Sequence, residues 1–196
     1  MKVTVRLGLL LLLGAPAALA EICLPEVIPP STPDTRYDTT LPPDDGSGRA
    51  VVQDLRTGLI WMRCTLGQNY DAGTNRCIGD PARYDWAGAL QVAQDYPGWR
   101  LPTIKELQSL VNLQCYGPAI NLRIFPDTPG SPIPEYFQST PTPPAVGFWS
   151  STPFHEIDGR GEYARAWILQ PFLGDATPAP KSNAINYVRL VRDPNP

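Results

Sequence analysis

Two short apolar runs separated by a turn lie between residues 51 and 62. Val51 and Val52 come before a break at residues 54–58, and the run Leu-Ile-Trp-Met at 59–62 follows it. Two such runs around a glycine-containing turn are typical of a β-hairpin. The pattern therefore predicts a hairpin over residues 51–62.

A first amphipathic segment follows the hairpin. Asp85 can cap a helix, and Pro97 with Gly98 can end it. Apolar side chains recur at helical spacing between these positions, namely Trp86, Ala89, Leu90 and Ala93. The spacing predicts a helix that faces the core.

The second helix has a sharper start. Thr103 and Glu106 form a T-x-x-E capping box, in which each side chain satisfies a backbone N–H at the helix start. Its predicted apolar face consists of Ile104, Leu107, Leu110 and Val111. A core-facing helix is again the expectation.

The last third of the chain alternates a long loop with β-like runs. Residues 126–144 are crowded with Pro, Thr and Ser around Tyr136 and Phe137, and loops of this length in compact domains are often functional. The runs at 147–151, 163–169 and 185–191 follow, separated by Gly, Asp and Pro. This order of elements predicts a single α+β domain.

The first 20 residues have the pattern of a cleavable export signal. Lys2 and Arg6 precede an apolar stretch at 7–13, and Ala18-Leu19-Ala20 supplies an A-x-A cleavage site. A membrane anchor is the competing interpretation, but the apolar stretch is interrupted by glycine and proline well before the roughly 20 residues that a span needs. A lipoprotein at Cys23 is a weaker alternative. We expect an exported protein, periplasmic or at the cell surface, with no membrane span once processed.

The chain is rich in proline and has four cysteines. The chain has 24 prolines in 196 residues, and residues 21–49 form a proline-rich arm before the domain at 50–193. Its four cysteines are an even number, which in an exported protein favours two disulfides over a zinc site. Sequence alone permits three pairings. We pair Cys64 with Cys77 across a polar, glycine-containing segment and Cys23 with Cys115.

Charge argues against nucleic acid as a partner. Without Lys2 and Arg6, the 16 Lys and Arg fall to 14 against 19 Asp and Glu, a net charge of −5. Nucleic acids and anionic lipids are bound by clustered Lys and Arg, which this composition does not favour.

A series of motifs resembles the Lcl C-terminal domain family, named for the C-terminal domain of a bacterial collagen-like adhesin. In order they are TGLIWMRC, GQ, Cys77-Ile78-Gly79, a Trp-containing helix, GWRLPTIKELQSLV, CYGPAINLRIFP, FWSST and YVRLVR, covering roughly 51–192. The collagen-like stalk is absent, and the loop between Phe125 and Phe148 is longer than the family pattern implies. The resemblance implies an adhesion-type module, and the adhesin's ligands are sulfated polysaccharides.

A more distant similarity concerns the fold. RLPT before a helix and a terminal RLVR strand resemble the formylglycine-generating enzyme and C-type-lectin-like domains. This implies a C-type-lectin-like domain with two helices, a small antiparallel sheet, long loops and two disulfides. Its first and last strands pair, so we expect Val51-Val52 to lie antiparallel beside residues 188–191. The enzyme's copper site needs late cysteines, and none follows Cys115.

Three groups of residues are candidate sites by residue type. Tyr136, Phe137 and Phe154 lie in or beside loops, and aromatics there are a usual way to build a binding surface. The charged segment 155–162 makes calcium possible, although it lacks a calcium-loop motif, and we predict no bound metal or other cofactor. Ser150 or Ser151 with His155 has the residue types of a hydrolase without its sequence context.

Two functions from different classes fit these observations. The first is a non-catalytic extracytoplasmic binding module for a glycan or a cell-surface partner. The second is a structural or assembly component of the bacterial cell envelope that binds another protein. An anionic ligand would need Arg160, Arg165, Lys181 and Arg189 to gather on one face.

Overall fold

The computed structural model describes residues 22–24, 27–41, 49–129, 146–155 and 164–194. Within them the protein is an α+β fold whose helices are α1 (Trp86–Gln94) and α2 (Ile104–Ser109). In chain order the strands are β1 (Ile22–Cys23), β2 (Tyr37–Asp38), β3 (Val51–Asp54), β4 (Ile60–Met62), β5 (Asn69–Asp71), β6 (Arg76–Ile78), β7 (Arg83–Tyr84), β8 (Cys115–Tyr116), β9 (Phe148–Phe154), β10 (Arg165–Gln170), β11 (Asp175–Pro180), β12 (Asn186–Tyr187) and β13 (Val191–Arg192).

The predicted hairpin is confirmed. Strands β3 and β4 pair antiparallel with Val52 opposite Trp61, and Gly58 takes a positive φ of 77° in the turn. Both residues of the pair are fully buried. The hairpin forms the centre of a four-stranded sheet in the order β13-β4-β3-β2.

Both predicted helix starts are confirmed. The Asp85 side chain accepts a hydrogen bond from the Gly88 backbone N at 2.7 Å. The capping box is complete, since Glu106 N donates to Thr103 Oγ1 at 3.3 Å and Thr103 N donates to Glu106 Oε2 at 2.7 Å. These local signals are sufficient because each satisfies orphan backbone donors of its own helix.

A second sheet has five strands in the order β11-β10-β9-β12-β7. Strands β9 and β10 correspond to predicted runs. Strand β11 carries Pro178 and Pro180 and lies where the sequence pattern predicts a break between strands. Strand β11 pairs with β10 alone, and proline is tolerated in such an edge strand. The pairing of β12 with β9 is parallel, and the others in this sheet are antiparallel.

The end of the chain departs from the prediction. The run at 185–191 is not one strand but two, because β12 belongs to the five-stranded sheet and β13 to the four-stranded one. The expected contact of Val51-Val52 with this end is wrong, since β4 lies between β3 and β13 and Val191 is paired with Trp61. The two ends of the domain still share one sheet.

Two apolar cores lie on opposite sides of the sheets. Alternation along β4 divides its side chains, with Trp61 in one core and Ile60 and Met62 in the other. Helix α2 packs into the first core through Ile104 and Leu107, and α1 packs into the second through Ala89 and Ala93. Both faces of the hairpin are therefore buried, which explains its nearly continuous apolar pattern.

The N-terminal arm is fastened to the domain. Both predicted disulfides are confirmed, Cys23–Cys115 with an S–S distance of 2.04 Å and Cys64–Cys77 with 2.00 Å. Strand β2 of the arm pairs with β3, and the buried Tyr37 ring meets Phe125 edge to face at 5.6 Å. The arm thus contributes to the domain's core while having none of its own.

Candidate functional site

A disulfide-closed hairpin projects from the four-stranded sheet. Strands β5 and β6 pair antiparallel, and the Cys64–Cys77 disulfide joins β6 to the chain that leaves β4. At the hairpin tip, Asp71 accepts hydrogen bonds from Gly73 N at 2.9 Å and Thr74 Oγ1 at 2.7 Å. The carboxylate lies in an Asx-type turn, which shapes the tip without help from the core.

Two glycines close the base of this hairpin. Gly67 and Gly79 have φ values of 92° and 104°, which side chains rarely tolerate. A Cβ on Gly67 would lie 2.5 Å from Ala82 N, and one on Gly79 would lie 3.3 Å from Gly67 O. Close backbone approach therefore requires both glycines, which belong to the GQ and Cys-Ile-Gly motifs noted in the sequence.

A buried arginine clamps the hairpin to the core. Arg63 is 7% exposed, and its Nε donates to Ile124 O at 2.9 Å while Nη2 donates to Asn75 Oδ1 at 2.8 Å. Its guanidinium also lies 4.4 Å from the centre of the Tyr70 ring. Because these contacts reach both the core and the tip, the hairpin is held in one position.

The fixed hairpin forms one wall of a polar pocket of about 240 Å³. The residues just before β3, the chain that leaves β4 and Tyr96, which follows α1, form the remaining walls. The lining includes Arg49, Thr65, Gln68, Tyr70 and Tyr96. We call this cavity the hairpin pocket.

Two polar atoms of the hairpin pocket are buried without a partner among the described residues. Thr65 is 1% exposed, and its Oγ1 has no hydrogen-bond partner there. The Gln68 amide donates weakly through Nε2 to Gly79 O at 3.4 Å, while its Oε1 is buried and has no partner there. Buried polar atoms are nearly always hydrogen-bonded, so both are exceptions, and each exposes less than 1 Å² and lies behind the pocket wall.

An arginine and an aromatic ring flank the pocket. The Arg49 guanidinium lies 4.3 Å from the centre of the Tyr96 ring, within the range of a cation–π contact. Tyr70 lines the pocket as well, while its hydroxyl donates to Asn75 Oδ1 at 2.8 Å. The pocket therefore combines hydrogen-bonding atoms with aromatic surface.

A second depression lies between α1 and the start of α2. It measures about 470 Å³ and is lined by Trp99 and Leu101, with Arg100 and Glu106 beside them. Arg100 holds Glu106 through two hydrogen bonds of 2.8 Å. Burial opposes ionisation of Glu106, but the bonds from Arg100 and Thr103 outweigh it and lower the pKa of that carboxyl.

The aromatic residues predicted from sequence fall in different places. Tyr136 and Phe137 lie outside the described residues. Phe154 is at the end of β9, half-buried, with its ring edge to face against Trp167 at 5.0 Å. It lines neither the hairpin pocket nor the groove between the helices.

The hydroxyls of the two serine candidates donate to backbone oxygens. Ser150 is fully buried, and its hydroxyl donates to Trp167 O at 2.8 Å. Ser151 Oγ donates to Pro102 O at 3.3 Å, and Trp149 is fully buried as expected for an inward-facing strand residue. These hydroxyls tie β9 to its neighbours.

Where the structure describes the chain, no three His, Cys, Asp or Glu side chains gather in a way that could hold a metal ion. Residues 156–163, which carry most of the charged segment considered for calcium, lie outside the described residues.

The basic face considered for anionic ligands does not include Arg189. Arg189 is 2% exposed, lies between the rings of Phe125 and Phe148, and donates to Met62 O at 2.9 Å. Burial, helped by the charge of Arg63, lowers the pKa of Arg189 to about 9. The condition for an anionic ligand, that Arg189 gathers with the other basic residues on one face, is therefore not met by Arg189. Arg160 lies outside the described residues.

Thr65 and Gln68 were missed by sequence reasoning. Each is a polar residue in a turn-rich segment, which is the ordinary composition of an exposed loop. The available signal was that both residues lie close to Cys64 and to Gly67 of the GQ motif. A disulfide and a glycine with a positive φ can draw a polar loop toward the core. Only the folded chain shows which polar atoms lose their water.

The fold and the pocket together define a small, disulfide-closed α+β domain with a polar cavity beside its hairpin. The family model described as the Lcl C-terminal domain matches residues 50–192, and the chain belongs to that family, which is adhesin-associated. No curated protein and no solved structure matches the chain. The C-type-lectin-like architecture therefore stays a prediction.

No helix among the described residues is long and apolar enough to span a bilayer.

Proposed function

We propose that this protein is a non-catalytic, extracytoplasmic binding module that holds a glycan in the hairpin pocket. One observation carries the proposal, namely a cavity of about 240 Å³ whose lining combines polar side chains with the rings of Tyr70 and Tyr96. Membership of an adhesin-associated family supports recognition of a surface partner.

The lining favours a ligand rich in hydrogen-bonding groups. Arg49, Gln68 and Asn69 all carry polar side chains, and a ligand that displaces water from them must offer hydrogen bonds in return. Sugars offer many hydroxyls at close spacing, and Tyr70 and Tyr96 provide apolar ring surface for the remainder of a sugar ring.

An extracytoplasmic location is supported by the cysteines. Cys23–Cys115 and Cys64–Cys77 are both disulfides, and no cysteine of the chain is free. Disulfides persist in oxidising compartments and are rare in reducing ones. We propose in addition that residues 1–20 are removed on export, and the intact mass of the exported protein measures this, with a chain beginning at Glu21 as the expected result.

A glycan array tests the function. The labelled exported protein is applied with and without calcium, alongside Tyr96→Ala and Tyr116→Ala. Tyr116 is a matched control, because it is a 42% exposed tyrosine that does not line the hairpin pocket. We expect sugar-specific binding that Tyr96→Ala weakens and Tyr116→Ala leaves unchanged.

A second candidate function is an assembly role in the cell envelope. Exposed apolar side chains occur on the two segments joined by the Cys23–Cys115 disulfide, with Val27 76%, Leu113 69% and Leu24 49% exposed. Exposed apolar surface is typical of protein interfaces. Absence of binding on the array, together with capture of one envelope protein, would favour this role over glycan binding.

A further inference from the structure

We propose that the Cys23–Cys115 disulfide is a thiol–disulfide exchange site, at which a thiol of an extracytoplasmic partner protein becomes linked to Cys23. The site is separate from the hairpin pocket, whose lining includes neither of these cysteines. Three features support it, namely the different exposure of the two cysteines, a hydrogen bond to one sulfur and the apolar side chains beside the bond.

Exposure distinguishes the two ends of this disulfide. Cys23 is partly exposed, whereas Cys115 is 6% exposed. The Cys64–Cys77 disulfide has both of its residues buried, at 9% and 6% exposed. Thiol–disulfide exchange requires access to the sulfur that is attacked. An incoming thiolate therefore meets Cys23, and Cys115 becomes the leaving group.

A buried asparagine stabilises that leaving group. Asn112 Nδ2 donates to Cys115 Sγ at 3.2 Å, while Asn112 Oδ1 accepts from Gln114 N at 3.3 Å. The second bond fixes the direction of the amide, so its N–H points at the sulfur. A hydrogen bond to the charged form of a group favours that form, and a stabilised thiolate leaves faster.

The exchange needs no oxidant or reductant. A partner thiolate attacks Cys23 Sγ, and its electron pair forms the new S–S bond. The Cys23–Cys115 bond breaks, and its electron pair leaves on Cys115 Sγ beside the Asn112 amide. One disulfide and one thiolate are present before and after the step. The product is a mixed disulfide between the partner and Cys23.

The arm has other attachments that survive this step. Ser31 Oγ donates to Val111 O at 2.8 Å and accepts from Leu113 N at 2.8 Å. Further along the arm, β2 pairs with β3, and Arg36 is bound to Asp54. Exchange at Cys23 therefore frees the first residues of the arm and leaves the domain folded.

The surroundings favour a protein thiol over a small one. Leu24 follows Cys23 in the chain, while Leu113 and Tyr116 flank Cys115. Their side chains are 49%, 69% and 42% exposed, respectively. Exposed apolar surface is typical of sites that bind another protein. A partner with apolar residues beside its cysteine would bury these side chains, whereas a small polar thiol would leave them in water.

The first experiment locates the reactive bond. The exported protein is incubated with reduced glutathione at about pH 8, where a fraction of the thiol is ionised, then quenched with acid, alkylated and digested for mass spectrometry. We expect glutathione on Cys23 and a thiol at Cys115, with Cys64–Cys77 reacting at least about tenfold more slowly. Glutathione on Cys115, or equal reaction of the two disulfides, would overturn the assignment.

Two variants test the mechanism. Asn112→Asp keeps the acceptor for Gln114 N, removes the donor to Cys115 Sγ and should slow the reaction with glutathione about threefold or more. An unchanged rate at an unchanged melting temperature would contradict the role of Asn112. The double variant Cys23→Ser with Cys115→Ser should still melt cooperatively. Loss of its cooperative transition would show that the bond is required for the fold and would contradict exchange in the folded protein.

A pair of peptides tests the kind of partner. One carries a cysteine between leucine and phenylalanine residues, and the other has serine in their places, with both rates divided by those toward oxidised glutathione. We expect the apolar peptide to react about tenfold faster, since it alone buries the exposed side chains. Leu113→Ser should reduce this advantage. The matched control is Leu55→Ser, since Leu55 is 59% exposed in the turn between β3 and β4. Equal rates for the two peptides would overturn the protein partner and leave exchange with small thiols.

Discussion

The guanidinium of Arg36 forms paired hydrogen bonds with the carboxylate of Asp54, with Nε–Oδ1 at 2.7 Å and Nη2–Oδ2 at 2.5 Å. The side chains are 7% and 0% exposed, so the pair is buried. Arg36 belongs to the proline-rich arm, and Asp54 ends the first strand of the central hairpin. Asp54 also accepts from Thr57 Oγ1 at 2.8 Å and Arg56 N at 3.0 Å, which fixes the hairpin turn. One carboxylate thus organises the turn and fastens the arm.

The first prediction concerns the arginine of this pair. Arg36→Gln should lower the free energy of unfolding by about 3–5 kcal/mol, because it leaves the Asp54 charge buried without its cation. Urea unfolding of the exported protein measures the loss. The matched control is Arg123→Gln, since Arg123 and its partner Asp34 are 84% and 48% exposed at 3.4 Å. That exposed pair should contribute about 0–1 kcal/mol, and equal losses in the two variants would contradict the prediction.

The second prediction concerns acid. Burial opposes ionisation of Asp54, but hydrogen bonds from Arg36, Thr57 and the Arg56 backbone outweigh it and hold its pKa below the ordinary value of 3.8. A carboxyl with a lowered folded-state pKa stabilises the fold above its unfolded-state pKa and loses that contribution as the pH falls through the folded-state value. Urea midpoints from about pH 7 to about pH 3 should therefore converge for wild type and Asp54→Asn on acidification. A constant difference would show that the charge of Asp54 is not responsible.

Elements with local signals were the ones predictable from sequence. The capping atoms of both helices lie within three residues of one another, as at Thr103 and Glu106. The Cys64–Cys77 disulfide spans a separation of 13 residues and could be recognised from its polar, glycine-containing loop. In such cases the residues that decide the structure are adjacent in the chain, so no tertiary information is needed.

Elements decided by tertiary neighbours were not predictable. Strand β11 carries two prolines and is stabilised by its pairing with β10 at the sheet edge. The closing run changes sheets between Tyr187 and Val191, which a continuous apolar pattern does not reveal. The hairpin pocket is assembled from residues 49–50, residues 62–70 and Tyr96, which are separated in the chain and meet only after folding. The site therefore required the structure more than the fold did.

The third prediction concerns the end of the chain. Deleting residues 189–196 should abolish the cooperative thermal transition, because Arg189, Leu190 and Val191 are each 2% exposed or less and β13 completes a sheet. The control deletes residues 193–196, which removes the Arg100–Asp193 ion pair, in which Asp193 is 70% exposed. We expect the control to melt cooperatively within a few degrees of wild type. A cooperative transition in the longer deletion would show that the last strand is dispensable, contrary to its buried position.

The fourth prediction concerns Tyr136 and Phe137, which stay sequence-based candidates for ligand contact. If the protein binds a glycan, aromatics on a loop can contact it, and such side chains contribute about 1–2 kcal/mol each. The double variant Tyr136→Ala with Phe137→Ala should then lose about 2–4 kcal/mol of binding free energy, roughly 30-fold to several-hundred-fold in Kd, and keep its melting temperature. Phe154→Ala is the companion variant, since Phe154 contacts Trp167 and should cost stability through that contact. If Tyr136 and Phe137 are core residues instead, the double variant should lose about 3–5 kcal/mol of stability per residue, and that result would end their candidacy as ligand contacts.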